Sequence, residues 1–91
     1  MNMSIIDQIH NYYEHKVVES INVHAVNRGF THEQLIDITC LALNNLPTRY
    51  YRHEVDLAFY MSAQEHDEIN ARVDKAVKNA IEFLEQKKKN R

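Results

Sequence analysis

The chain has 91 residues, 44% hydrophobic and 26% charged, with a single glycine and a net charge of −2 when His is neutral. That composition argues against a disordered chain, and the net acidity argues against a protein built to wrap DNA or RNA through many Lys and Arg contacts to phosphate. A chain of this length makes one domain, residues 1–91, and buries only roughly 60 to 70% of its unfolded surface, so a second copy would add stability.

Taken in chain order, the first helix opens at Ser4 with Asp7 three residues on, and Ile6, Ile9, Tyr13, Val17 and Ile21 recur at spacings of three and four. This is one apolar stripe running to about Val26, and Gly29 is placed to end it. Thr31 and Gln34 form a capping box for a second helix. In it Leu35, Ile38, Ala42 and Leu46 share a face while Ile36, Cys40 and Leu43 widen it, which predicts the central helix of the domain. Pro47 stops it, because the ring disfavours helical geometry in the residue before it and removes a backbone donor. Ser62 and Glu65 form a box for a third helix, with Ile69, Val73, Ala76, Ala80 and Phe83 in one row and Val77, Ile81 and Leu84 in another. Asp74 and Lys78 are read as its solvated side. The expected fold is therefore an all-α, small three-helix domain. Residues 85–91, with Lys87, Lys88, Lys89 and Arg91, form a basic C-terminal tail whose charges suit the helix dipole.

Between the second and third helices, Val55, Leu57, Phe59 and Met61 alternate with Asp56, Ala58 and Tyr60, which fits a short extended segment or one extra helical turn. A loop with this much apolar content is expected to pack down and hold its polar side chains in fixed directions. The wide apolar face of the second helix and the pair Tyr12-Tyr13 suggest surface buried against a second copy of the chain.

Several chemistries find little support. Cys40 is alone, which leaves no intrachain disulfide and no thiolate zinc site, and its apolar surroundings predict a small core residue. His10 and Glu14 could share a helical face beside His15, yet no HExxH pattern occurs and no third ligand has telling spacing, so no metal and no other cofactor is expected. There is no glycine-rich phosphate loop and no GxSxG elbow, and Glu65, Asp67 and Glu68 suit a helix first turn, so no enzyme activity is expected. The N-terminal MNMSIIDQIHNYYEHK has no apolar core of signal-peptide length, and no stretch approaches the ~20 apolar residues of a membrane span. The cytoplasm is the expected compartment.

The run Thr48-Arg49-Tyr50-Tyr51-Arg52-His53 carries two permanent positive charges and no acid. Arg forks match phosphate oxygens two at a time, and Arg planes and Tyr rings stack on bases, so the composition suits a small phosphorylated nucleotide. The structural alternative pairs these Arg residues with Glu54, Asp56 or acids of another helix and uses the tyrosines to fill a core edge. Because the run follows a helix C-terminus, whose carbonyls repel anions, side chains would have to hold any phosphate. His53, between Arg52 and Glu54, is the one histidine kept as a candidate ligand contact. The same loop with the Lys tail could contact single-stranded nucleic acid, against which the overall acidity counts.

The string Leu41-Ala42-Leu43-Asn44-Asn45-Leu46-Pro47-Thr48-Arg49-Tyr50 resembles the signature of the late competence development ComFB family, in which LALN, a few residues and then LPPRY or LPPKY recur. The continuation Arg52-His53-Glu54-Val55-Asp56 with Phe59-Tyr60-Met61-Ser62, and the opening Asn11-Tyr12-Tyr13-Glu14-His15, resemble its proteobacterial branch. The resemblance implies an all-helical homodimer without enzymatic activity. It also implies membership of a family with receptors for cyclic dinucleotides, cyclic di-GMP or cyclic di-AMP, tied to competence, pili and motility. The motif lands on Leu46, Pro47, Arg49 and Tyr50. With Arg52 and His53 added on electrostatic grounds, the expected ligand-binding set is Pro47, Arg49, Tyr50, Arg52 and His53. Thr48 stands where the pattern has a second proline, and VNRGFTHEQ lacks the cysteine cluster that holds zinc in other members, so zinc is not carried over. The alternative is a dimeric helical adaptor that uses the Arg/Tyr loop to bind a regulatory protein partner without a nucleotide ligand.

Overall fold

The computed structural model describes residues 3–89, and the side chains of all of these except positions 3, 4, 54, 56, 58, 88 and 89. In chain order the elements are α1 (Met3–Asp7), β1 (His10–Asn11), α2 (Tyr12–His24), α3 (His32–Asn44), β2 (Tyr50–Tyr51), α4 (Glu54–Tyr60) and α5 (Ala63–Lys89). The chain is mostly helical, and α2, α3 and α5 pack against one another to make the core. The molecule measures 45 × 38 × 20 Å, and a thickness of 20 Å admits about two helix diameters.

Local chemistry explains where α3 and α5 begin. Thr31 Oγ1 accepts from the Gln34 N–H at 3.1 Å while Gln34 Oε1 accepts from the Thr31 N–H at 2.8 Å, a complete capping box. Ser62 Oγ accepts from the Glu65 N–H at 3.1 Å, and α5 runs on for 27 residues. At the far end of α3 the Asn45 N–H reaches the Ala42 carbonyl and the Leu46 N–H the Leu43 carbonyl, so the helix closes just ahead of Pro47. Val17, Ile38 and Val77 are at 0% exposure at the centre, and burying each such side chain contributes about 1.5 to 3 kcal/mol. A polar seam joins α2 to α5: Ser20 Oγ donates to Asp74 Oδ1 at 2.8 Å, and His24 Nε2 lies 3.6 Å from the same oxygen.

Several expectations change here. The single first helix is broken in two. After Gln8 and Ile9 bond back to Ile5 and Ile6, the backbone leaves the helix and His10–Asn11 pairs antiparallel with Tyr50–Tyr51. Consequently Ile6 and Ile9 are exposed, and the buried stripe starts only at Tyr12. Ser4 lies within α1 rather than ahead of it. At its other end α2 stops at His24, and turns carry the chain to Gly29, whose φ of 79° is the left-handed geometry that favours glycine. Cys40 is exposed, because it sits two positions, about 200° around the helix, from the buried Ile38. Phe83 is likewise half-exposed, facing a cleft of about 330 Å³ that the small Cys40 and Asn44 leave open against α5. Asp74 joins the polar seam while its side chain stays 47% exposed, and Tyr12 and Tyr13 are buried inside the chain rather than offered to a second copy.

The segment between α3 and α5 contains both an extended piece, β2, and a short helix, α4. Leu57 and Met61 pin α4 down, whereas Val55, Phe59 and Tyr60 point outward. Because β1 and β2 are antiparallel and His10 pairs with Tyr51, α1 enters and α4 leaves at the same end of the ladder. Exposed Ile5, Ile6 and Ile9 are thus brought to the end that also carries α4.

Candidate functional site

Leu46 is buried and roots the loop that follows α3. Beyond it Pro47, Thr48, Arg49 and Tyr50 are exposed, then Tyr51 turns inward, and Arg52 and His53 are exposed again. The alternation at Tyr50 and Tyr51 is that of a strand, with successive side chains on opposite faces. Tyr51 packs among rings, 5.6 Å from His10 and 6.1 Å from Tyr12 by centroid, the latter edge-on. Tyr50 is 64% exposed, a face open for stacking.

Asn11 holds this loop. Its Oδ1 accepts from the Tyr13 N–H at 3.3 Å, which caps α2, and from the Arg49 N–H at 3.0 Å. In return the Tyr12 N–H donates to the Arg49 carbonyl at 2.7 Å. The backbone of Arg49 is therefore fixed through both its polar groups while its side chain stands in solvent. Among the described side chains no carboxylate pairs with Arg49 or Arg52, whereas Lys16 and Arg28 meet Glu19 and Glu85. The side chains of Glu54 and Asp56, the acids nearest in sequence, lie outside the described ones. Lys16 also sits 5.6 Å from the Tyr12 ring centroid, a cation–π distance that places a further positive charge beside the ladder.

All five expected ligand-binding residues, Pro47, Arg49, Tyr50, Arg52 and His53, lie on this one exposed strip between α3 and α4. His53 starts α4 without a side-chain capping bond, so its ring is not committed to the helix. His10 belongs to β1 rather than to a helix, so it does not share a helical face with Glu14, and its ring packs at a tilt of 45° against Tyr51 instead. Among the described residues no group of three His, Cys, Asp or Glu side chains could hold a metal ion.

Sequence reasoning missed Asn11 as the organiser of the loop. An Asn directly ahead of an apolar stripe is a helix-cap signal, but the stripe continues upstream through Ile6 and Ile9 and hides it. Arg72 was missed as well. Its Nη1 donates to the hydroxyl of the buried Tyr13 at 3.2 Å, a contact across 59 positions that no local pattern reveals.

Fold and site together define a small, mostly helical domain that displays a cationic, ring-bearing loop clamped to the start of its first long helix. Residues 10–88 match the family model for late competence development protein ComFB, and the chain belongs to that family. Membership suggests a competence-related regulatory role. No curated protein and no solved structure matches the chain.

Proposed function

We propose that this protein is a non-enzymatic, cytoplasmic regulator that works as a homodimer and receives a cyclic dinucleotide, cyclic di-GMP or cyclic di-AMP, on the strip Pro47 to His53. The observation that carries the reading is Arg49, held by its backbone N–H and carbonyl with its guanidinium in solvent, beside an exposed Tyr50. Arg49 and Arg52 neutralise phosphate while Tyr50 stacks on a base, and His53 contributes a further polar edge. Among the described residues no helix is long and apolar enough to cross a membrane. The net charge of −2 weighs against nucleic acid as the partner.

Isothermal calorimetry with each dinucleotide tests this. Wild type is expected to bind, and Arg49→Ala with Arg52→Ala to weaken binding at least tenfold, since a hydrogen bond to a charged group contributes about 1.5 to 3 kcal/mol. Absence of heat and of a thermal shift at high micromolar ligand sinks the reading.

A second reading, an adaptor that binds a regulatory protein, is favoured by Val55, Phe59 and Tyr60, at 75, 85 and 78% exposure on one short helix. Exposed aromatic rings next to Arg are residue types that carry protein contacts. Under it, the same Arg pair abolishes capture of the partner and no dinucleotide binds to wild type.

A further inference from the structure

Beyond the loop, the chain holds a second cationic place. The last turn of α3 and the adjoining face of α5 enclose a cleft of about 460 Å³ lined by Asn45, Arg72, Lys75, Ala76 and Asn79. Two cations and two amides face it and no acid lines it. Lys16 and Arg28 meet carboxylates, whereas among the described residues none pairs with Arg72 or Lys75. Glu68, one turn ahead of Arg72, is engaged instead by Gln64 Nε2 at 3.1 Å.

Arg72 is also aimed. Its Nη1 donates to the hydroxyl of Tyr13, a residue at 3% exposure, which fixes one edge of the guanidinium and leaves the other for a ligand. The structural alternative is that Arg72 and Lys75 serve the carbonyl end of α3. Three of the last four carbonyls already have partners: Asn45 Nδ2 donates to Leu41 O at 2.9 Å, and the Asn45 and Leu46 N–H groups satisfy Ala42 and Leu43. With one N–H of Asn45 Nδ2 so committed, the donors left for a ligand are Arg72, Lys75, Asn79 and the second N–H of Asn45.

We infer that this cleft is a site for a phosphate group, with Arg72 and Lys75 supplying charge and Asn79 a neutral donor. The site adjoins the loop. Asn45 precedes Arg49 by four residues, a stretch that spans at most about 14 Å. Tyr13, which orients Arg72, donates its N–H to the same Asn11 Oδ1 that accepts from Arg49. A ligand with two phosphates can place one against Arg49 and Arg52 and the other in the cleft. That extension rests on the receptor reading for the ligand's identity, whereas the anion site itself does not.

Heteronuclear NMR titration with inorganic pyrophosphate, followed by cyclic di-GMP and cyclic di-AMP, is the test. Pyrophosphate is expected to shift the Arg72 Nε–H and the Lys75 and Asn79 amides, and Lys75→Ala with Asn79→Ala to weaken that response at least tenfold with an unchanged urea midpoint. Unmoved signals, or an equal response in the variant, overturn the inference. So does a lowered midpoint with anion binding intact, which would assign the cations to the α3 end. If pyrophosphate binds the cleft and neither dinucleotide binds anywhere, the phosphate site stands and the receptor reading falls. Dinucleotide binding at the loop with a silent cleft gives the reverse.

Discussion

Val17, Ile38 and Val77, where α2, α3 and α5 meet, are at 0% exposure, whereas Val55, Phe59 and Tyr60 on α4 remain at 75, 85 and 78%. These side chains are similar in kind and differ in what surrounds them. The helices close over one region through apolar contact. The loop corner is held mainly by backbone pairing of β1 with β2 and by one amide oxygen, and among its described side chains Leu46, Tyr51, Leu57 and Met61 reach inward. Shape in the first region is set by burial, and in the second by directional bonds that leave the side chains available.

Three substitutions test that contrast. Ile38→Ala is expected to lower unfolding free energy by about 2 to 5 kcal/mol in urea denaturation, the usual cost of emptying a sealed site. Asn11→Ala removes the cap of α2 and the bond to Arg49, and is expected to cost about 0.5 to 2 kcal/mol. It should also speed amide exchange at Arg49. A loss as large as that of Ile38→Ala, or exchange at Arg49 unchanged, would break the division between the two regions. Phe59→Ala is expected to stay within about 0.5 kcal/mol for the isolated chain. Sedimentation then sharpens the picture: if this variant shifts a dimer toward monomer, the α4 end is where two copies meet.

How much of this was legible in the sequence depended on how local its cause was. Thr31 with Gln34 and Ser62 with Glu65 mark helix starts within four residues, and both starts were read correctly. The strip from Pro47 to His53 was legible as a non-helical, packed loop, because Pro47 ends the helix before it. The sequence leaves open whether its arginines pair with acids and its tyrosines fill a core edge, and the structure turns Tyr51 inward and Tyr50 outward. The break before Tyr12 was not, since Ile6, Ile9 and Tyr13 keep the helical period and the ladder that overrides it is made with residues about 40 positions away. Cys40 shows the same limit. Its apolar neighbours in sequence said nothing about which side of α3 the other helices would cover. Asp74 reads as a surface residue, and its bond to Ser20 of α2, 54 positions away, was not legible.

The double duty of Asn11 bears on how the molecule can be handled at the bench. Starting the polypeptide at Tyr12, the first residue of its first long helix, would look like harmless trimming of a poorly packed leader. It would delete the cap of that helix and the strand against which Tyr50 and Tyr51 lie, so the arginine strip would be cut loose from forty residues upstream.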